Sequence, residues 1–254
     1  MSNLPPSHDT QTAWLSFQLH HAFAGFHLDA QVALHHPWTI LFGPSGSGKT
    51  TILRTIAGLF TPDSGQISLQ HETIFARLKN SPCTANVPPL RRRIGLVTQA
   101  PALFPHYTAA QNVGFSLRRL SATERNRKVQ ALLQIFHVEG LHDHFPSQLS
   151  GGQQQRIALA RTLAAEPRLL LLDEPFSALD RTSRQEALSG LRQWLQQREV
   201  PVLMVTHDLA EAFSASDEVV VLESGSVIAQ GKADEVLHIQ RAQLLKELGV
   251  PSGP

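Results

Sequence analysis

With 254 residues and 42% apolar content, the chain is long enough for one domain with a sizeable core, or one domain with an inserted lobe. Its 22 Lys and Arg against 21 Asp and Glu leave a net charge of +1, which argues against a general nucleic-acid surface. Cys83 is the only cysteine, so no internal disulfide can form, as fits a reducing compartment.

Residues 1–12 are polar and proline-containing and read as a loose, flexible tail; without an apolar h-region they are not expected to act as a signal peptide. The segment 15–34, LSFQLHHAFAGFHLDAQVAL, alternates imperfectly and reads as edge strands of an antiparallel sheet. WTILF at 38–42 is a short buried strand ending at glycine. Ile52, Leu53, Ile56 and Leu59 then have helical spacing, and TPDSG is expected to stop that helix. GQISLQ reads as a strand, and 76–93 reads as a proline-rich exposed loop whose basic end, Arg91–Arg93, is solvated rather than bound to phosphate or lipid. IGLVTQ at 94–99 is a strand, and 107–147 is mostly helical, with Leu132, Leu133 and Phe136 on one face. RLLLLDEP and VPVLMVTHD are buried strands with polar ends; DEVVVLESGSVIAQG is a hairpin, and a charged helix near 233–247 follows. No apolar run approaches the ~20 residues that span a bilayer, so the chain reads as soluble, reaching a membrane only through a partner.

Strands alternating with helices imply an α/β core with a mainly parallel sheet, whose ligands bind at the carboxyl ends of the strands. The polar motifs sit at those ends. GPSGSGKT, Gly43 to Thr50, matches G-x-x-x-x-G-K-[ST] in full, after a strand and before a helix. The loop Gly43–Pro44–Ser45–Gly46–Ser47–Gly48 can curl its N–H groups around phosphate oxygens, and the helix N-terminus adds partial positive charge. Lys49 can reach the β- and γ-phosphates, and Thr50, with Thr51 beside it, can offer a hydroxyl to Mg²⁺. Asp173 suits the acid that holds Mg²⁺, and Glu174 can orient or deprotonate a water. Gln99 and His207 end neighbouring strands, where Gln99 can join a Mg²⁺ shell and His207 can hydrogen-bond a γ-phosphate. Far downstream, LSGGQQQR presents a second helix start. Ser150 and Gln153 fit a capping box, yet Gly151 and Gly152 cost about 1 kcal/mol each in a first turn unless something needs close backbone approach.

In this order GPSGSGKT, Gln99, LSGGQQQR, LLLLDEP, SALD (177–180) and His207 resemble the Walker A loop, Q-loop, signature, Walker B strand, D-loop and switch histidine of ABC transporter ATPase subunits. The resemblance runs from about residue 15 to 240. It implies a P-loop NTPase core with an N-terminal antiparallel β-subdomain and an inserted α-helical subdomain at about 100–160, within one ATPase domain over 13–254. It also implies ATP and Mg²⁺ as ligands and a head-to-tail homodimer in which one copy's signature closes over the other copy's nucleotide. Carried over by motif, Lys49 and the loop bind phosphates; Thr50, Gln99 and Asp173 organise Mg²⁺; Glu174 is the general base; His207 senses the γ-phosphate. Ser150 and Gly152, with Gly151 and Gln153 around them, face the partner copy's γ-phosphate, and Asp180 crosses the interface. An aromatic normally stacks on adenine: Phe23 is the first candidate and Phe26 the second, with plain core packing the competing reading for Phe23.

APALFPHYTAAQNVGFSL, after Gln99, resembles importer ATPases, where it docks a coupling helix of a transmembrane permease fed by a substrate-binding protein. RRRIGLVTQAPALFPHY looks most like the molybdate type, with sulfate, ferric iron and polyamine importers close behind. The expected place of work is the cytoplasmic face of the inner membrane. Regulation by a C-terminal β-domain, common in these subfamilies, is not expected in a chain ending at 254. The alternatives are a soluble ABC ATPase of DNA repair or translation, which lacks its usual second ATPase domain or coiled coil here, and an exporter ATPase. The 13 histidines, clustered at His20–His21, His35–His36 and His142–His144, show no clean zinc spacing and read as scattered surface groups.

Overall fold

The computed structural model describes residues 13–196 and 198–247. The tail expected at 1–12 and the end of the domain expected to reach 254 lie outside the described residues. Strands β1 (Leu15–Phe23) and β2 (Phe26–Leu34) form a hairpin, followed by β3 (Trp38–Phe42), α1 (Lys49–Ala57), β4 (Ser64–Leu69), β5 (Glu72–Arg77) and β6 (Cys83–Asn86). Next come α2 (Pro89–Arg92), β7 (Ile94–Val97), α3 (Ala109–Val113), α4 (Ala122–Ile135), α5 (Gly151–Ala164), β8 (Leu169–Asp173) and α6 (Arg181–Gln196). The remaining elements are β9 (Val202–Thr206), α7 (Leu209–Ala215), β10 (Glu218–Glu223), β11 (Ser226–Gly231), α8 (Ala233–Val236) and α9 (His238–Glu247).

Among the described residues all strands join one 11-stranded sheet in the order β6-β5-β4-β1-β2-β11-β10-β3-β9-β8-β7. From β10 to β7 every pairing is parallel, and from β6 to β2 every pairing is antiparallel. Strands β3, β8 and β9 read as unbroken apolar runs because both of their faces are covered. Leu170, Leu172 and Met204 pack into the core shared with α4, α5 and α6; Leu169, Leu171 and Leu203 pack into the core shared with α1. Between β7 and β8 the described chain carries only helices and short 3₁₀ turns. Thr108, Ser121 and Ser150 each open one of these helices with a capping box. Leu132, Leu133 and Phe136 are buried together there, as their spacing indicates. The β10–β11 hairpin turns at Ser224 and Gly225, both at positive φ, as a two-residue turn with right-handed strand twist requires.

Several expectations need correction. β1 and β2 are antiparallel but interior, since β4 and β11 flank them. Their alternation reports a wet face, not a lateral edge. Leu59 is 61% exposed because α1 ends at Ala57, where Gly58 takes a left-handed φ of 82° three residues ahead of TPDSG. The charged segment at 233–247 is two helices, interrupted at the buried Leu237. The stretch 76–93 is no loop: it holds the end of β5, the edge strand β6 and α2.

Arg92 is also not solvated; it is 1% exposed. Its Nη1 donates to the carbonyls of Thr55 (2.9 Å) and Ile56 (2.7 Å), and its Nε donates to Val87 O (2.7 Å). The first two belong to the last turn of α1, where Thr55 O also accepts the Gly58 N–H at 3.0 Å, while Ile56 O lies beyond the last helical N–H. Arg92→Met should therefore destabilise the fold by about 2–4 kcal/mol in urea titration, because three carbonyls, two of them at fully buried contacts, each lose a hydrogen bond. An unchanged midpoint would contradict this assignment.

Candidate active site

The carboxyl ends of four parallel strands converge. The loop after β3 leads through Gly46 (φ 81°) and Gly48 (φ 103°) into α1, and no side chain caps the first turn of that helix. A side chain at 43 would collide with Leu222 O, 2.1 Å from its Cβ. The β10–β11 hairpin thus presses against the loop, and Gly225 N–H donates to Ser47 O at 3.2 Å. Lys49 is buried, its Nζ bonded to the carbonyls of Gly43 (2.8 Å) and Pro44 (2.7 Å). Burial pushes its pKa down, against the opposing pull of Glu174 and Asp173.

Thr50 Oγ1 donates to Asp173 Oδ1 at 3.1 Å, so helix α1 and strand β8 meet at an oxygen pair. Burial raises the Asp173 pKa, and the bond from Thr50 partly offsets this. Glu174 follows at φ 47°, a left-handed conformation that glutamate rarely adopts, and its N–H donates to Val205 O at 3.0 Å. Its two carboxylate oxygens are both engaged: Gln99 Nε2 donates to Oε2 at 3.0 Å, and His207 Nδ1 lies 3.0 Å from Oε1. Gln99 sits two residues beyond β7 rather than at its end, and His207 directly follows β9.

An open cleft of about 440 Å³ is lined by Ser45, Gly46, Gly48, Lys49, Thr50, Thr51, Gln99 and Glu174, with Phe23 and Phe26 above; Asp173 and His207 are not on its wall and reach it through Thr50 and Glu174. Phe23 and Phe26 face each other across the two-residue turn of the β1–β2 hairpin. Ser150, Gly151, Gly152, Gln153 and Asp180 do not line this cleft. Ser150 Oγ accepts Gln153 N–H at 3.3 Å, so part of that helix start is satisfied internally. A Cβ on Gly152 would meet Leu179 Cδ2 at 2.9 Å, which gives this glycine a packing reason; a Cβ on Gly151 would meet nothing within 4 Å. Asp180 accepts from Thr182 N–H and Ser183 N–H, both at 3.0 Å, and so starts α6. These bonds, Ser183 N–H first, hold its carboxyl below the usual range.

Sequence reading missed the support beneath His207. Thr206 Oγ1 donates to Glu211 Oε2 at 2.6 Å, Asp208 caps α7, and Arg184 pairs with Asp208 at 2.6 Å. The D-x-x-E spacing of Asp208 and Glu211 was a legible cap signal, whereas nothing nearby in sequence announces Arg184. Of the histidine clusters, His20 pairs with Asp29 (2.9 Å), His21 with Asp63 (3.1 Å) and His142 with Asp143 (2.8 Å).

A phosphate loop on a parallel sheet, with paired acids at the next strand end but one, defines an ATP-hydrolysing P-loop enzyme. The family model for ABC transporters matches residues 33–177, and the chain belongs to the ABC transporter family. It is 44% identical over 199 residues to a probable sulfate/thiosulfate import ATP-binding protein CysA of Chlorella vulgaris, covering 77% of this chain and 80% of that one. It is 38% identical over 223 residues to the molybdate/tungstate import ATP-binding protein WtpC of Archaeoglobus fulgidus, covering 88% and 89%. With the Fe(3+) ions import ATP-binding protein FbpC of Serratia marcescens, identity is 45% over 215 residues, and the chain spans 60% of that longer relative. A dimeric ATP-binding cassette in a post-hydrolysis state, bound to ADP and phosphate, superposes with TM-score 0.73 at 28% identity, covering 86% of this chain and 98% of that one. CbiO1 of Clostridium perfringens superposes with TM-score 0.75 at 27% identity, covering 94% and 98%.

The raised Asp173 pKa makes a stability test. Between its unfolded and folded pKa the folded chain binds the extra proton, so stability is lost as pH rises through that window and stays lower at neutrality. Asp173→Asn keeps an acceptor for Thr50 and removes the buried charge. In EDTA its Tm should exceed the parent's at pH 7.5, with the gain fading below the ordinary aspartate range. An equal or lower Tm at pH 7.5 would show that the charged carboxylate is net favourable.

Proposed function

We propose that the chain is the Mg²⁺-dependent ATP-hydrolysing subunit of an importer, acting as a head-to-tail homodimer beneath a transmembrane permease. The observation that carries the hydrolytic reading is Glu174, held at the cleft by Gln99 and His207 beside the phosphate loop. The residues suit their ligands. Glycines at 46 and 48 let loop N–H groups converge, and the uncapped start of α1 favours an anion. Thr50, Asp173 and Gln99 offer oxygens only, the donor set of a hard cation such as Mg²⁺, which would neutralise charge on the phosphates when bound.

In this reading Lys49 exchanges its bonds to Gly43 and Pro44 for phosphate oxygens. Glu174 takes a proton from the attacking water on a lone pair that Gln99 and His207 leave free, since each carboxylate oxygen can accept a second hydrogen bond. His207 then turns its hydrogen bond to the γ-phosphate, with its backbone held by the Thr206–Glu211 and Asp208–Arg184 contacts. Ser150, Gly151, Gly152 and Gln153 serve the partner copy's nucleotide, and Asp180 meets the partner at the interface. Supporting this is Gly151, whose open face has no reason within its own chain.

The importer reading rests on relatives named as import ATP-binding proteins. No described helix is long and apolar enough to cross a membrane, so a permease partner would supply the path, at the cytoplasmic face of the inner membrane, with a substrate-binding protein delivering the solute. For the solute we put forward an oxyanion, molybdate first, because the molybdate/tungstate relative aligns along nearly the whole of both chains.

Glu174→Gln should abolish Mg²⁺-ATP turnover, retain ATP affinity and accumulate an ATP-bound dimer on size-exclusion chromatography with light scattering. Lys49→Ala should weaken nucleotide binding by tenfold or more, since a charge-assisted phosphate contact contributes about 1.5–3 kcal/mol. Normal turnover by Glu174→Gln would end this mechanism. Uptake by the permease complex of sulfate but not molybdate would move the solute while leaving the ATP chemistry intact.

A further inference from the structure

Helix α1 starts at the phosphate loop, and its far end touches the aromatic group above the cleft. After Ala57 the chain turns at Gly58 (φ 82°), and Leu59 and Phe60 donate their N–H groups to Arg54 O at 2.8 and 3.2 Å. This cap fixes Phe60 against Phe23: their rings stack with centroids 5.7 Å apart and planes 23° from parallel. His21 sets its ring edge-on to both, 4.2 Å from Phe23 and 4.8 Å from Phe60. Asp63 closes the group. Its Oδ2 accepts Ala22 N–H at 2.9 Å, and its Oδ1 lies 3.1 Å from His21 Nδ1. The Ala22 N–H, more than any other contact, keeps this carboxyl ionised below the usual range.

Phe23 lines the cleft while Phe60 does not, so Phe60 backs Phe23 from outside it. Phe26 has a different task. Its ring lies against Gly48, where a Cβ would come within 3.2 Å of Cζ, so it packs on the start of α1. One face of Phe23 is taken by Phe60, and the cleft side is where a nucleobase would stack.

We propose that Phe60, His21 and Asp63 are positioning residues that brace Phe23 as the nucleobase platform, so that the length of α1 sets the distance between base and phosphate subsites. The proposal rests on the reading of Phe23 as the base-stacking residue. A platform free to swing would lose part of its stacking to ordering entropy, while a braced ring is already in place. The brace acts on the base end only, and the phosphate loop should not sense it.

The test compares two probes, ATP and inorganic tripolyphosphate, by calorimetry on the full chain. Phe23→Ala should weaken ATP about tenfold and leave tripolyphosphate unchanged, the scale of base–aromatic stacking. Phe60→Ala should weaken ATP about three- to fivefold, spare tripolyphosphate, and add nothing on top of Phe23→Ala. Phe60→Tyr should bind as the parent does, and His21→Ala should follow Phe60→Ala. Equal loss of both ligands in Phe60→Ala would reduce the group to a structural support of α1 and overturn the proposal. So would unchanged ATP binding in Phe60→Ala while Phe23→Ala is weakened. Unchanged ATP binding in Phe23→Ala would instead overturn the base-stacking reading itself, and the brace with it.

Discussion

Helix α1 leaves the sheet with its first turn bare, and the rest of the cleft is arranged around that fact. Thr108, Ser121, Ser150 and Asp208 each put an oxygen on the first-turn N–H groups of α3, α4, α5 and α7. Gly48, at the same place on α1, has no side chain to offer. A helix start left without a partner is a standing demand for an anion. Leu222 and Gly225 press on the loop from the β10–β11 hairpin, and Thr50 ties the helix to Asp173, so the bare N–H groups point into a fixed space.

The other end of α1 is as firmly held. Arg92 takes its last carbonyls, and Gly58 turns the chain so that Phe60 reaches Phe23. One helix therefore joins the buried arginine, the aromatic group and the phosphate loop. Its length is a ruler for any ligand that spans them. The carboxylates stand apart from this ruler: Asp173, the last residue of β8, reaches it through Thr50, and Glu174, just beyond the strand, faces it across the cleft.

Much of this was legible from residue pattern. The apolar runs of β3, β8 and β9, the capping box of Ser150 and Gln153 and the glycine loop each carry a local physical signature, and each formed as its pattern indicated. Lateral order in the sheet was not legible, because alternation in β1 and β2 records which face is wet and says nothing of neighbours. Arg92 was misread for a related reason. Charge runs are usually solvated, and only tertiary packing brings the last-turn carbonyls of α1 to it. The left-handed turn at Glu174 and the support of His207 by Arg184 lie in backbone geometry and long-range contact, which no single-sequence pattern encodes. The second glycine pair was half legible: Gly152 answers to Leu179 within its own chain, while Gly151 still faces nothing.

That open face bears on the central claim, that a complete site needs residues from two copies. The most direct test mixes two inactive variants, Lys49→Ala and Gly151→Glu, and assays ATPase activity of the mixture. In a head-to-tail pair, one of the two sites then combines an intact loop from one copy with an intact signature from the other. The account predicts that activity returns on mixing and rises with total protein concentration. A mixture as inactive as either variant alone would contradict a shared site.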